Sequence, residues 1–156
     1  MADLNVLDFY KDTAKILLQL HRSFPRKAEV YVEDLIGADH VDEFGLHSKR
    51  HESCFGAMLW LSDEGYLRFQ STIRQEAIDQ AVLTAKAIVL LGTINIELRN
   101  NNVLNNELSS EAKDTALNDA PPFETNEHFT MVEHVRAALK SESSDQITIV
   151  MRAFFS

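Results

Sequence analysis

Residues of the types that bind metal ions recur near the middle of the chain. His47, His51 and Cys54 have a spacing that places their side chains on one side of a helix, and His40 precedes them. Imidazole and thiolate groups are both ligands for zinc. However, the chain has no second cysteine, and Cys54 belongs to an apolar stripe. The pattern therefore favours a buried, unreactive thiol, and we predict neither a metal site nor a cofactor.

A basic pair lies within the same stretch. Lys49 and Arg50 follow Ser48 directly, and Glu52 lies close behind them. Cations at a helix N-terminus oppose the helix macrodipole, so they do not stabilise the helix itself. Two interpretations stay open, a solvated helix start or a contact with phosphate. Glu52 would repel a phosphate, which counts against the second.

The sequence patterns of common catalytic sites are missing. There is no glycine-rich phosphate loop, no nucleophile elbow and no Cys-x-x-Cys pair. Asp63 and Glu64 are neighbours, but adjacent residues at a helix end point to different faces and cannot act as an acid and base pair. We therefore predict that the chain is not an enzyme.

The amino-acid composition predicts a soluble, acidic protein. Its 156 residues are 45% hydrophobic and 25% charged, and the net charge is -9. Acidic residues exceed basic ones on both sides of Gly92, so any DNA contact requires a local basic patch. The chain has one cysteine and an acidic N-terminus, and no apolar run approaches the length of about 20 residues that spans a bilayer. These features predict a cytoplasmic protein without membrane contact.

Helical spacing of apolar residues predicts a first helix that begins near Val6 and ends before Pro25. A short β-leaning run (28–32) and a short helix (32–36) follow. The next helix has Ser48 as its N-cap and Gly65 as its stop. Its predicted inward side chains are Cys54, Phe55, Met58, Leu59 and Leu61. Its predicted outward side chains are Lys49, Arg50, Ser53 and Ala57.

Two strands are predicted after this helix. Residues 66–72 alternate between two faces, and residues 77–83 have the length of a second strand. Residues 72–76 would form a short tip. Neither Asn-Gly nor Asp-Gly marks the turn, so the hairpin prediction rests on context rather than on turn chemistry. Thr84 then caps a further helix.

The run LWLSDEGYLRF, followed by AVLTAKAIVLL, resembles the core of bacterial winged helix-turn-helix regulators of the PadR-like and MarR-like kind. The matching pieces are 59–65, 66–69, and Leu83, Thr84 and Lys86. The resemblance covers roughly residues 6–92. Where such families often have Gly after the Lys, this chain has Ala87.

The resemblance implies a mostly α fold with a small β-ribbon. Residues 1–98 would form a winged helix-turn-helix domain. Beyond the part that the resemblance covers, the residue patterns predict a polar linker with a short helix at 99–125 and an α-helical C-terminal segment for oligomerisation or packing at 126–156.

The resemblance also implies a recognition helix after Ser48, with its first turns in the major groove. Lys49 and Arg50 would meet phosphates or guanine edges, and Arg74 on the wing tip would reach a backbone phosphate or the minor groove. The implied DNA-binding residues are Lys49, Arg50, His51, Ser53, Arg68 and Arg74.

Helix-turn-helix proteins commonly bind two half-sites as two-fold dimers. The candidate contact is the last apolar stripe, which we expect to be helical: Ile147, Val150, Met151, Phe154 and Phe155. The preferred hypothesis is a transcriptional regulator that binds double-stranded DNA as a homodimer. The alternative, which the net charge favours, is an acidic winged-helix protein–protein interaction module that does not bind DNA.

Overall fold

The protein is described by a computed structural model over residues 3–39, 41–98 and 129–156. It is mostly helical with a small antiparallel sheet, as the sequence predicts. The predicted linker and short helix at 99–125 lie outside the described residues. Among the described residues, no helix combines the length and apolar character needed to cross a bilayer.

Helix α1 (Leu4–Ser23) is the centre of the packing. It buries one apolar stripe and contacts every layer of the fold, from the sheet to the C-terminal helices. Strand β1 (Ala28–Tyr31) and helix α2 (Val32–Ile36) follow it. Gly37 ends α2 with φ +89°, a conformation that glycine adopts without a steric penalty.

Helix α3 (Lys49–Asp63) begins where the sequence predicts. The side chain of Ser48 accepts a hydrogen bond from the His51 amide at 3.2 Å. Cys54, Met58 and Leu61 are buried, as predicted. The prediction that Ala57 faces outward is wrong: its side chain is buried, because α1 packs over the stripe that also contains Cys54 and Leu61.

The predicted ribbon pairs as expected, with its first strand in two pieces. Strands β2 (Leu67–Arg68) and β3 (Ser71–Ile73) both pair antiparallel with β4 (Ala77–Leu83). Strand β1 pairs antiparallel with β4 as well, so β4 is the central strand.

The tip of the ribbon is a tight turn built from residues that seldom form one. The Glu76 amide donates to the Ile73 carbonyl at 2.8 Å. Between them Arg74 and Gln75 have φ of 49° and 58°. Two consecutive positive φ values define a type I′ turn, which usually carries Asn-Gly. The position of the turn within 72–76 was predicted, but its type was not evident from the sequence because neither central residue is Asn or Gly.

Helix α4 (Ala85–Leu91) is tied to the end of α3. Thr84 caps it, as predicted, and its hydroxyl also donates to the Gly65 carbonyl at 2.6 Å. Lys86 donates to the Glu64 carbonyl at 3.1 Å and lies over the Tyr66 ring. Two of the residues that carry the winged-helix resemblance, Thr84 and Lys86, thus fix the turn from α3 into the ribbon.

The C-terminal helices α5 (Met131–Ser141) and α6 (Ser144–Phe155) pack on α1. The preference for a helix over a strand in the last stripe is confirmed. Its assignment as an intermolecular contact needs correction, since these side chains pack inside the chain. Phe155 is half-buried, and four others are buried: Ile147, Val150, Met151 and Phe154. Homodimerisation itself stays a prediction.

We predict that Phe154→Ala lowers the free energy of unfolding by about 3–5 kcal/mol, because it leaves a cavity beside Tyr66 and Phe155. Urea unfolding followed by circular dichroism measures this. The matched control is Ile149→Ala on the same helix, where the side chain is exposed; its effect should stay within about 0.5 kcal/mol. Equal effects of the two changes would contradict the assignment of Phe154 to the core.

Candidate functional site

The exposed side of α3 carries little positive charge. We call this side the α3 face; it consists of Lys49, Glu52, Ser53, Gly56, Trp60 and Asp63, all exposed. Lys49 is its one cation, against the two acids Glu52 and Asp63. The predicted DNA contacts Lys49 and Ser53 are therefore at the surface. Arg68 and Arg74 on the ribbon are exposed as well.

Arg50 turns away from this face towards α1. Its guanidinium donates two hydrogen bonds of 2.6 Å to the two carboxylate oxygens of Asp12, and its Nε lies 3.7 Å from Asp8. The Asp12 side chain is fully buried. The hydrogen bonds with Asp12 raise the pKa of Arg50, so the guanidinium stays charged. The prediction that Arg50 meets phosphates or bases is corrected accordingly: it neutralises a buried carboxylate.

Cys54 lies one turn further along α3, next to this ion pair. Burial, followed by the charge of Asp12, raises the pKa of its thiol to about 12. A thiol with this pKa stays protonated near neutral pH and is a poor nucleophile and metal ligand. The predicted buried, unreactive thiol is therefore present.

His51 also points inward, on the side of α3 that faces the ribbon. Its side chain is buried, and its Nε2 lies 2.9 Å from the Gln75 carbonyl at the turn. A carbonyl oxygen only accepts, so Nε2 carries a proton and donates it. The prediction of a DNA contact by His51 is corrected for this reason: the ring holds the wing-like tip against the first turn of α3.

Asp39, His47 and His51 form a compact polar cluster that the sequence did not reveal. Asp39 Oδ2 lies 3.0 Å from His47 Nδ1 and 3.7 Å from His51 Nδ1. The two imidazole rings stack, with centroids 3.8 Å apart and planes 5° from parallel. Hydrogen bonds from Ser48, followed by that from His47, hold the pKa of Asp39 at about 2. The carboxylate is therefore ionised at neutral pH.

The loop between α2 and α3 brings His47 to this cluster. Asp42 accepts hydrogen bonds from the amides of Phe44 and Leu46 at 2.9 and 2.8 Å. Gly45 between them has φ +77°. Side-chain acceptance from amides two and four residues later is a common way to fix a turn. The turn in this loop is thus built by its own residues.

Two hollows flank the α3 face and meet at Gly56. The hollow on the ribbon side has a volume of about 340 Å³ and includes Leu46, Phe55 and Leu59 in its wall. The hollow on the α1 side has the same volume and includes Phe9 and Trp60. Gly56 has no Cβ, and a Cβ built there would meet no atom within 4 Å. The α3 face therefore offers concave apolar surface with acidic residues beside it.

The sequence named some of these residues but grouped them differently. It placed His47 and His51 with Cys54, whereas the structure places them with Asp39. The spacing of four between the histidines was a real signal, because both rings lie at the start of α3. Asp39 and Gln75 were missed, since their approach depends on the loop and on the ribbon turn.

No protein-family model matches this chain, and neither a curated protein nor a solved structure does.

We predict that Arg50→Met lowers the free energy of unfolding by about 3 kcal/mol, because it leaves Asp12 buried without a counter-charge. The matched control is Lys49→Met, one residue earlier and exposed, which should change it by less than about 0.5 kcal/mol. Chemical denaturation measures both. Adding Asp12→Leu to Arg50→Met should recover most of the loss. Similar losses for the two single variants would argue against a structural role of Arg50.

A second prediction concerns the turn at the ribbon tip. Replacing Arg74 with Asn and Gln75 with Gly should raise the free energy of unfolding by about 1 kcal/mol, because these residues adopt positive φ more readily. Thermal and urea unfolding measure the change. Gln70→Gly, on an exposed residue that lacks a positive φ, should instead lower stability. A loss of stability in the turn variant would show that the I′ geometry is not adopted.

Proposed function

We propose that residues 4–91 form a winged-helix domain. The order α1–β1–α2–α3–ribbon supports this proposal. So does the pairing of β1 with the last strand of the ribbon, which joins the helical part to the wing. Thr84 and Lys86, on which the resemblance partly rests, contact the end of α3 in a way that suits this fold.

We propose that this domain binds another protein through the α3 face and that its function does not require DNA binding. The observation that carries the proposal is the ion pair of Arg50 with Asp12. It leaves Lys49 as the one cation among the exposed side chains of α3. Affinity for DNA comes largely from cations that neutralise phosphates, and Glu52 and Asp63 oppose such contacts.

The same face has features that favour a protein segment. Aromatic side chains in well-packed hollows dominate the energy of many protein interfaces, and Trp60 borders one of the two hollows. Acidic side chains beside an apolar surface complement basic residues on the partner. We therefore expect a partner segment that combines a large apolar side chain with lysine or arginine.

DNA binding is the second candidate, and one observation favours it. Lys49 begins α3 and Arg74 lies at the ribbon tip, and both are exposed. The hydrogen bond from His51 to the Gln75 carbonyl holds these two regions next to each other. Winged-helix regulators contact DNA with the recognition helix and the wing, which correspond here to α3 and the ribbon. For this chain the resemblance implies a transcriptional regulator that acts as a homodimer.

Paired experiments, one with peptides and one with DNA, distinguish the protein-binding function from the DNA-binding function. We expect a random peptide library to yield ligands rich in basic and large apolar residues, whose binding is measured by fluorescence anisotropy. Glu52→Lys and Gly56→Arg should each weaken binding at least about tenfold, because they reverse a charge or fill the junction of the hollows. Asp145→Lys makes the same change of charge on α6 and should leave binding unchanged.

The DNA experiment uses a random duplex pool at low and moderate salt. Our proposal expects no sequence-selective complex. A salt-sensitive complex that is lost when Lys49 and Arg74 are replaced by Ala, together with no peptide selection, would overturn it in favour of the regulator.

A further inference from the structure

A cleft between α1, α2 and α5 combines apolar walls with positive charge. We call it the basic cleft; its volume is about 350 Å³. Three leucines form its apolar wall: Leu18, Leu35 and Leu139. Lys15 and Arg22 are the cations in the wall, against one acid, Asp34. The basic cleft shares no residue with the α3 face or with the two hollows that flank it.

Further cations lie near the basic cleft, although the chain as a whole is acidic. Burial, followed by the charge of Lys11, lowers the pKa of Lys15. Burial, followed by the charge of Arg136 on α5, likewise lowers the pKa of His21 on α1. Within the part of the chain that the structure describes, neither Lys11 nor Arg22 pairs with a carboxylate. The cleft therefore keeps positive charge that an anionic group could neutralise.

The loop between α2 and α3 presents the complementary chemistry. We call residues 41–46 the Phe44 loop. Phe44 is 85% exposed, and Val41 and Leu46 beside it are exposed as well. The carboxylates of Asp42 and Glu43 directly precede Phe44 in the sequence. A large apolar side chain with acidic neighbours matches a cleft that has leucine walls and cations, because burial of apolar surface and opposite charges both favour the contact.

Hydrogen bonds hold the Phe44 loop in one conformation. In addition to the bonds to the Asp42 side chain, the Asp42 amide donates to the Leu46 carbonyl and the Gly45 amide donates to the Asp42 carbonyl, both at 3.0 Å. Phe44 is therefore fixed in solvent and does not fill the cleft of its own chain. An anchor that is already ordered loses little conformational entropy when it binds a second molecule.

We propose that the chain forms a two-fold homodimer in which the Phe44 loop of each copy occupies the basic cleft of the other. Both surfaces border α2, which supplies Asp34 and Leu35 to the cleft and is followed by the loop. A two-fold contact is reciprocal, so a loop and a cleft on the same side of the chain can both be used at once. Glu43 then faces the cations, and Phe44 lies between the leucines. This inference is independent of whether the α3 face binds protein or DNA.

Sedimentation equilibrium of the full chain tests the proposal. At physiological salt, which screens the repulsion between two copies of net charge -9, it should show dimers form between micromolar and millimolar concentration. Phe44→Ser should weaken dimerisation at least about tenfold, because the buried anchor is lost. Arg22→Glu and Glu43→Lys should each do the same, since each places like charges across both contacts. An equimolar mixture of these two charge variants should recover dimerisation, because both contacts of the mixed dimer again join opposite charges.

Matched controls change exposed residues outside the two surfaces. Arg26→Glu reverses the charge of an exposed arginine just after α1, and Val89→Ser removes an exposed apolar side chain from α4. Both should leave dimerisation unchanged, and circular dichroism should show every variant folded.

Three outcomes would overturn the proposal. The first is a chain that stays monomeric at millimolar concentration. The second is dimerisation that survives Phe44→Ser but is lost in Val89→Ser, which would place the contact on α4. The third is a mixture of Arg22→Glu and Glu43→Lys that stays as monomeric as either variant alone. Because Leu46 also borders the ribbon-side hollow, its replacement is not used as a test.

Discussion

The ion pair between Arg50 and Asp12 decides which side of α3 meets solvent. Asp12 is fully buried within α1, and an ionised carboxylate there needs a cation that supplies matched donors. The planar guanidinium provides two parallel hydrogen bonds, which a lysine would not. This geometry fixes the rotation of α3 about its own axis, so Cys54, Ala57 and Leu61 pack against α1.

The rotation of α3 in turn makes the ribbon turn possible. With Arg50 directed to α1, the next residue, His51, faces the ribbon and donates to the Gln75 carbonyl. Arg74 and Gln75 adopt left-handed conformations that cost energy in residues with a Cβ. Such conformations persist where the surroundings over-determine them. Here the surroundings are the strand pairing on one side and the buried imidazole on the other.

Local chemistry was readable from the sequence, and long-range pairing was not. The caps at Ser48 and Thr84 and the stop at Gly65 were predicted because each depends on residues within one turn. The direction of Arg50 was not, since its partner lies 38 residues away in the sequence. Phe154 illustrates the same limit: an apolar helical stripe fits a dimer contact as well as an internal one, and only the position of α1 distinguishes them.

Most of the basic and ionisable side chains at the start of α3 form contacts within the protein. Arg50 neutralises Asp12, while His47 and His51 converge on Asp39. Lys49 alone among these four side chains remains directed to solvent. A count of cations near the start of α3 therefore overstates the charge that a phosphate would meet. Because Arg50 is already paired with Asp12, the exposed side of α3 keeps one cation, Lys49, against the two acids Glu52 and Asp63. This balance of charge supports our proposal of a basic protein partner.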